Sequence, residues 1–315
     1  MKKVISTLLC IAILLAFASC GKSSGQTNGK LKIVTTIFPV YDWVNNILGS
    51  KAENAEVTLL LKNNIDLHNY QPTAQDLVKI SQCDLFIYVG GESDDWVEDA
   101  LASAKNENLL TINLVSYLGQ KALEETEEME ANGETEEAEE KEYDEHVWLS
   151  LRNAVAFCEE IDGAIELLDQ KNADYYKSNL ASYVEKLKTL DVKYSAAVDN
   201  AANKTLVFGD RFPFAYLFSD YGLEHYAAFS GCSAESEASF ETVLALAKKI
   251  DELKLDNILT LETGDGKLAS TIISNTENKN QKVLVLNSFQ SAPAEGETYL
   301  AVMEENLNVL TEAIS

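Results

Sequence analysis

One pattern is written twice in this chain, and it restricts the fold more than any other feature. Residues 31–36, 57–61, 84–89 and 109–114 are short runs rich in β-branched and other apolar residues, and the segments at 40–48, 73–81 and 95–104 between them are helix-like. The alternation returns at 205–208, 226–229, 257–261 and 282–286, with helix-like segments at 240–253, 267–274 and 299–314. Strands that alternate with helices pair in parallel, because each crossover carries the chain back across the sheet. Between the two sets, residues 172–202 contain neither glycine nor proline, and Tyr176, Leu180, Tyr183, Leu187 and Leu190 recur three or four positions apart. One helix can span that segment, about 45 Å at about 1.5 Å per residue. The expected fold is α/β: two similar lobes with mainly parallel sheets, residues 31–171 and 203–315, joined by one long rigid helix at 172–202.

Ahead of the first strand, Lys2 and Lys3 precede an apolar run over residues 4–17 that is too short to span a bilayer as a stable helix. Ala18 and Ser19 then lead into Cys20. This is similar to a bacterial lipoprotein signal: residues 1–20 with cleavage before Cys20 and lipidation of its thiol. Residues 21–30 have the composition of a flexible tether. Such an anchor places the protein at the cell membrane, on its extracytoplasmic face. Cys83, Cys158 and Cys232 lack the spacing of a metal site, and the apolar neighbours of the first two point to buried free thiols.

The formal charge is −26 and the chain holds two arginines, Arg152 and Arg211. A phosphate backbone needs clustered Lys and Arg, so no nucleic acid partner is expected, and a cationic ligand suits this field better. Residues 124–145 hold thirteen Asp or Glu and one Lys, which is −12 of the total. That composition cannot bury a core. It reads as a mobile, solvated loop, either a solubilising insert or a weak collector of cations beside a binding site.

The loop ends at a histidine. Two of the three histidines lie in chemically loaded frames, Asp66-Leu67-His68-Asn69-Tyr70-Gln71-Pro72 and Asp144-Glu145-His146-Val147-Trp148-Leu149. Imidazole is the commonest protein ligand for zinc, and carboxylates or amides beside it can orient the ring. The two are far apart in sequence, so only the fold can unite them. Metal competes with protons for imidazoles of ordinary pKa about 6.5, so affinity is expected to fall from pH about 7 to 5.

Together with Ile33-Val34-Thr35-Thr36-Ile37-Phe38-Pro39, Gln71-Pro72-Thr73-Ala74-Gln75-Asp76, Tyr221-Gly222-Leu223 and Tyr299-Leu300, these frames occur in a specific order and spacing. The chain resembles the metal-binding lipoproteins of bacterial ABC importers, the cluster A-I solute-binding proteins that take up zinc or manganese. The resemblance covers nearly the whole mature chain. It implies two lobes joined by a long helix, metal held between them by ligands from both, delivery to a membrane permease, and capture without catalysis. A monomer is expected. Carried over by position, His68 and His146 are the ligands of the first lobe. The third family ligand lies ten residues before the tyrosine of Tyr-Gly-Leu, where this chain has Arg211, and a guanidinium does not ligate metal at neutral pH. Neighbouring Asp210 is the candidate to take over. Glu262 matches a family acid at the cleft and is the candidate fourth ligand, while the other family acid falls near Asn287. His225 enters a strand away from the cleft.

A set of two histidines with Asp210 and Glu262 suits Zn(II), and its carboxylates also suit Mn(II) or Fe(II). The acidic loop and the Tyr-Gly-Leu element favour zinc. Two readings from other classes remain open. Two histidines, a carboxylate and a vacant position could activate water for hydrolysis, although no His-Glu-x-x-His frame supplies a general base. A degenerate family member could instead bind an organic solute and pair Arg211 with its carboxylate.

Overall fold

In the first half of the chain, β1 (Leu31–Thr35), α1 (Phe38–Leu48), β2 (Ala55–Leu59), α2 (Ala74–Gln82), β3 (Leu85–Tyr88), α3 (Trp96–Ala102), β4 (Leu110–Asn113) and α4 (Leu114–Leu118) follow one another. Their strands pair in parallel in the order β2-β1-β3-β4. Two helices then precede the second sheet, α5 (Leu151–Leu168) and α6 (Ala173–Asp199). The second half runs β5 (Thr205–Phe208), α7 (Ala215–Tyr221), β6 (Glu224–Ala227), α8 (Phe240–Leu253), β7 (Asn257–Leu261), α9 (Lys267–Ser274), β8 (Lys282–Leu286) and α10 (Tyr299–Ala313). Its order, β6-β5-β7-β8, repeats the first and is also parallel. The expected α/β class with two parallel sheets is what the chain adopts. This computed structural model describes residues 29–62, 65–124, 143–229 and 238–315, so Cys20, the expected signal, most of the tether and Cys232 lie outside the described residues.

Local chemistry sets where the helices begin. Thr73 and Asp76 form a reciprocal capping box on α2, and Ser150, Ser239 and Thr298 each accept the N–H three residues on to start α5, α8 and α10. In β3, Leu85, Phe86 and Ile87 are all buried, as in a strand covered on both faces.

The 27 residues of α6 make a rod of about 40 Å that buries Tyr176, Tyr183, Leu187, Leu190, Tyr194 and Val198. Tyr183 donates its hydroxyl to Asp42 of α1 at 3.2 Å, and Tyr194 donates to the carbonyl of Met303 in α10 at 2.6 Å. Asp42 also accepts the Tyr299 N–H at 3.3 Å, and burial raises its carboxyl above the usual range. The long helix thus fastens one helix from each half. A single apolar cluster runs from Ile33 and Trp43 through Trp148 and Phe157 to Phe208, Phe289 and Tyr299, so the two sheets share a core. A smaller cluster with Val243, Ile250, Ile258 and Ile272 lies beneath α8 and α9.

Cys83 and Cys158 are buried free thiols. Among the described residues, no helix is long and apolar enough to cross a membrane. The acidic run departs from expectation at its end. Glu124 and Tyr143 form an antiparallel bridge, and Asp144 and Glu145 are buried rather than solvated, because both side chains brace imidazoles in the site described next. Residues 125–142 lie outside the described residues.

Candidate metal site

The residues of interest gather on loops, most of them just beyond the carboxyl end of a strand. His68 is in a short turn (Leu67–Asn69) after β2; Gly91, Ser93 and Asp94 follow β3; and Asp144 and His146 lead into α5. From the second sheet, Asp210 and Arg211 follow β5, Glu262 follows β7, and Ser288 to Gln290 follow β8. In each sheet the direction of chain progress reverses beside β1 or β5, the place where open α/β sheets bind ligands.

Three nitrogen atoms form the centre. Nε2 of His68 and Nε2 of His146 are 3.2 Å apart, and Nε2 of Gln290 is 3.2 Å from His146 and 3.5 Å from His68. On the far side of its ring, Nδ1 of His146 faces Oδ1 of Asp144 at 3.1 Å. A carboxylate can only accept, so the proton belongs on Nδ1 and the lone pair on Nε2. Nδ1 of His68 meets the Ser93 hydroxyl at 2.9 Å and Oε2 of Glu145 at 3.7 Å, which favours the same tautomer. The two Nε2 lone pairs then face one another, with the Gln290 amide donating an N–H toward each. Tetrahedral zinc, at about 2.0–2.1 Å from each nitrogen, separates its ligand atoms by about 3.3–3.4 Å. The triangle has those proportions. A half-turn of the Gln290 amide exchanges nitrogen for oxygen with little change of shape and brings a donor oxygen to the third corner.

The two Asp-x-His frames build the first half of this centre locally. Asp66 Oδ1 accepts the His68 N–H at 3.0 Å, and Asp144 Oδ1 accepts the His146 N–H at 2.7 Å. Glu145 approaches through a gap left by Gly91, whose φ of +83° suits glycine and where a Cβ would stand 2.4 Å from Oε1 of Glu145. Ser93 N donates to that same oxygen at 2.8 Å. Burial, aided by the neighbouring His146, pushes His68 down to about 4. Asp94 accepts the Gly90 N–H at 2.9 Å, and burial lifts its carboxyl to about 7.

The second half depends on tertiary packing. Phe289 takes a left-handed φ of +57°, uncommon for a bulky residue, and its ring stacks on Phe38 and on Tyr299 at centroid distances of 6.3 and 5.2 Å. That turn presents Gln290. Trp148 Nε1 donates to the Ser288 carbonyl at 2.9 Å, binding the turn to the first half of the chain. Ser288 donates its N–H to Glu262 at 2.8 Å and its hydroxyl at 3.0 Å, and burial raises the Glu262 carboxyl.

The structure therefore brings His68 and His146 together and does not bring Asp210 and Glu262 to them. Oδ2 of Asp210 accepts from the Thr260 hydroxyl at 2.7 Å and from Leu261 N at 3.1 Å, while Oδ1 accepts from Arg211 N at 2.9 Å. Both carboxylates satisfy backbone donors at strand ends that would otherwise be unpaired. Among the described residues, no group of three His, Cys, Asp or Glu is gathered as a metal site. The amide at Asn287 accepts the Phe289 N–H at 2.9 Å and shapes the turn. Gln290, three residues on, is the residue that sequence reasoning misses. His225 lies on the edge strand β6, stacked on Phe212 at 3.3 Å, and burial pushes it down to about 4. Arg211 Nη2 lies 3.5 Å from Asp66 Oδ2.

Comparison with known proteins gives this arrangement relatives. The zinc-binding lipoprotein AdcA of Streptococcus pneumoniae is 32% identical over 315 residues, 98% of this chain and 61% of that protein. The chain thus spans about three fifths of the length of the AdcA proteins it matches. The metal ABC transporter substrate-binding lipoprotein FimA of Streptococcus parasanguinis is 29% identical over 330 residues, with 100% of both chains covered. Among solved structures, the Zn(II)-bound ZnuA-like domain of S. pneumoniae AdcA matches with a TM-score of 0.70 at 30% identity, over 91% of this chain and 99% of that one. Residues 33–313, from β1 to the end of α10, match the model of a single family, and the chain belongs to it: ZnuA, zinc-uptake complex component A, periplasmic.

Proposed function

We propose that this protein captures Zn(II) between its two lobes outside the cytoplasm and delivers it as cargo to the membrane permease of an ABC importer. The observation that carries the reading is the triangle of His68, His146 and Gln290, with two imidazole lone pairs converging at the spacing of a tetrahedral zinc site. The family and the names of the AdcA and FimA relatives support it. We assign His68 and His146 as ligands through Nε2 and Gln290 as a ligand through its amide oxygen. Asp210 and Glu262 hold the second lobe's strand ends and the turn that carries Gln290. The lobes correspond to residues 31–171 and 203–315, with the chain held to the membrane by lipid at Cys20 and acting as a monomer.

Two imidazoles and an amide contain no hard anionic donor, which favours zinc over Mn(II) and Fe(II). The site binds without chemistry. A hydrolase would need a carboxylate beside the bound ion to act as base, and among the described residues Asp144 and Glu145 stand on the Nδ1 side of the imidazoles. The test is metal analysis and calorimetric titration of the mature chain. One zinc per chain is expected, with manganese bound at least about a hundredfold more weakly. Failure to bind one zinc, or preference for manganese, would overturn the reading.

A further inference from the structure

The segment that carries His146 belongs to the first half of the chain, yet side chains of the second half hold it at Asp144, Trp148 and Ser150. Tyr299 of α10 donates its hydroxyl to the Trp148 carbonyl at 2.7 Å, and Ser150 donates to Oδ2 of Asp220 in α7 at 2.6 Å. One helical turn before Asp220, the Tyr216 hydroxyl donates to the Asp144 carbonyl at 3.0 Å and accepts the Leu123 N–H at 3.0 Å. Leu123 and Asp144 are also joined directly. The Asp144 N–H donates to the Leu123 carbonyl at 3.0 Å, next to the antiparallel bridge between Glu124 and Tyr143.

Two residues paired in this way in an antiparallel ladder exchange both of their N–H···O=C bonds. Here one bond is direct and the return bond runs through the tyrosine hydroxyl. A hydroxyl has one proton to give and lone pairs to receive, so it fills both roles at once and holds the pair apart. Tyr216 is buried, and burial raises its phenol above the ordinary value, so the donated proton stays in place. Asp144 in turn faces both the N–H and Nδ1 of His146, at 2.7 and 3.1 Å. A chain of hydrogen bonds thus runs from α7 to an imidazole of the triangle.

Resting on the metal-capture reading above, we propose that Tyr216 is a positioning residue for zinc capture: its hydroxyl, set between Leu123 and Asp144, places Asp144 and through it the His146 imidazole. Without the hydroxyl, Leu123 and Asp144 close on each other. Both backbone groups stay paired, and the carboxylate that faces His146 is drawn off its place.

The experiment is competition titration of zinc with the mature chain in four forms: wild type, Tyr216→Phe, Asp144→Ala and the two substitutions together. Tyr216→Phe should weaken zinc about tenfold, the scale on which the partner of a metal ligand acts. In the Asp144→Ala background the same substitution should cost less than about twofold, because the carboxylate it acts through has gone. Tyr194→Phe also removes a buried hydroxyl-to-carbonyl bond, and it should stay within about twofold of the wild type. Nitrogen-15 NMR of the metal-free chain should show the His146 ring signals shifted in Tyr216→Phe and unmoved in Tyr194→Phe. Tyr216→Met gives the same comparisons should Tyr216→Phe fail to fold. Unchanged zinc affinity in Tyr216→Phe, an equal loss in the Asp144→Ala background, or unmoved His146 signals overturns the inference and leaves metal capture standing. Absence of one-to-one zinc binding in the wild type defeats the metal-capture reading instead.

Discussion

The two lobes reach the same site by opposite means. In the first, each histidine carries its own support: an aspartate two residues earlier accepts its N–H, and carboxylates or a hydroxyl face its Nδ1. In the second, the carboxylates Asp210 and Glu262 turn back to satisfy strand ends and a turn, and what reaches the centre is the Gln290 amide, while the Arg211 guanidinium meets Asp66. A carboxylate after a parallel strand can serve a ligand or its own backbone. The outcome depends on which N–H groups the strand end leaves unpaired.

If the first lobe supplies most of the binding energy, the largest effect belongs to His146→Ala. That residue is buried and held by Asp144 at both its N–H and Nδ1. Its loss should weaken zinc by at least about a thousandfold, with His68→Ala close behind, while Gln290→Ala should cost only about tenfold. Competition titration of the three variants reads the order directly. A Gln290→Ala loss as large as that of His146→Ala would remove the asymmetry between the lobes.

Next in size is a contrast of two aspartates. Asp144→Ala removes the partner that fixes the His146 tautomer and should cost about 10- to 100-fold in zinc affinity. Asp210→Ala should change affinity by less than about fivefold but lower stability by about 1–3 kcal/mol, because Leu261 N and the Thr260 hydroxyl lose their acceptor. Paired titrations and thermal melts check both. An Asp210 variant that melts normally but loses zinc would return Asp210 to the ligand set.

This contrast also marks how far the sequence could be read. The Asp-x-His frames, the strands at 257–261 and 282–286, the helices at 240–253 and 267–274 and the long helix are encoded by local periodicity and caps, and they lie where the pattern puts them. The helix α5 goes unread although Leu151, Ala154, Phe157, Cys158, Ile161 and Ile165 form an apolar stripe behind the Ser150 cap. Gln290 is different in kind. Its place depends on the left-handed Phe289, which is held by rings from α1 and α10 far away in sequence. No window around Ser288-Phe289-Gln290 contains that information. Whether Asp210 and Glu262 face the cleft is likewise decided by backbone donors on neighbouring strands.

The pH dependence sharpens the comparison from the first lobe's side. From ordinary imidazoles, zinc affinity should decline from pH about 7 to 5. Burial instead holds His68 down to about 4 in the folded chain. Below pH about 6.5 the unfolded chain takes up the proton first, so stability rises with pH across the interval from about 4 to 6.5 and is lost as pH falls through it. Proton competition at His68 moves down to the same low range. The metal-free melting temperature should therefore drop between pH 6.5 and 4, less steeply in His68→Ala, while zinc affinity at pH 5.5 stays within about tenfold of its value at 7.5. A loss much greater than that by pH 5.5 would show that His68 is not held neutral.

The smallest effect is expected at the second lobe's own histidine. His225 is stacked flat on Phe212 and is pushed down to about 4 by burial, so at neutral pH it is an uncharged ring in an aromatic cluster. His225→Phe should leave zinc stoichiometry intact and affinity within about twofold, since the residue sits on the edge strand β6 with its ring stacked on Phe212. The same substitution makes a second, signed prediction. Wild-type His225 gains its proton more readily when unfolded, which lowers stability as pH falls from about 6.5 toward 4, and phenylalanine removes that penalty. The variant should therefore melt higher than the wild type at pH 5 by a margin that closes by pH 7.5. Loss of zinc in His225→Phe would mean that the second lobe contributes a histidine after all, and the division of labour between the lobes would have to be redrawn.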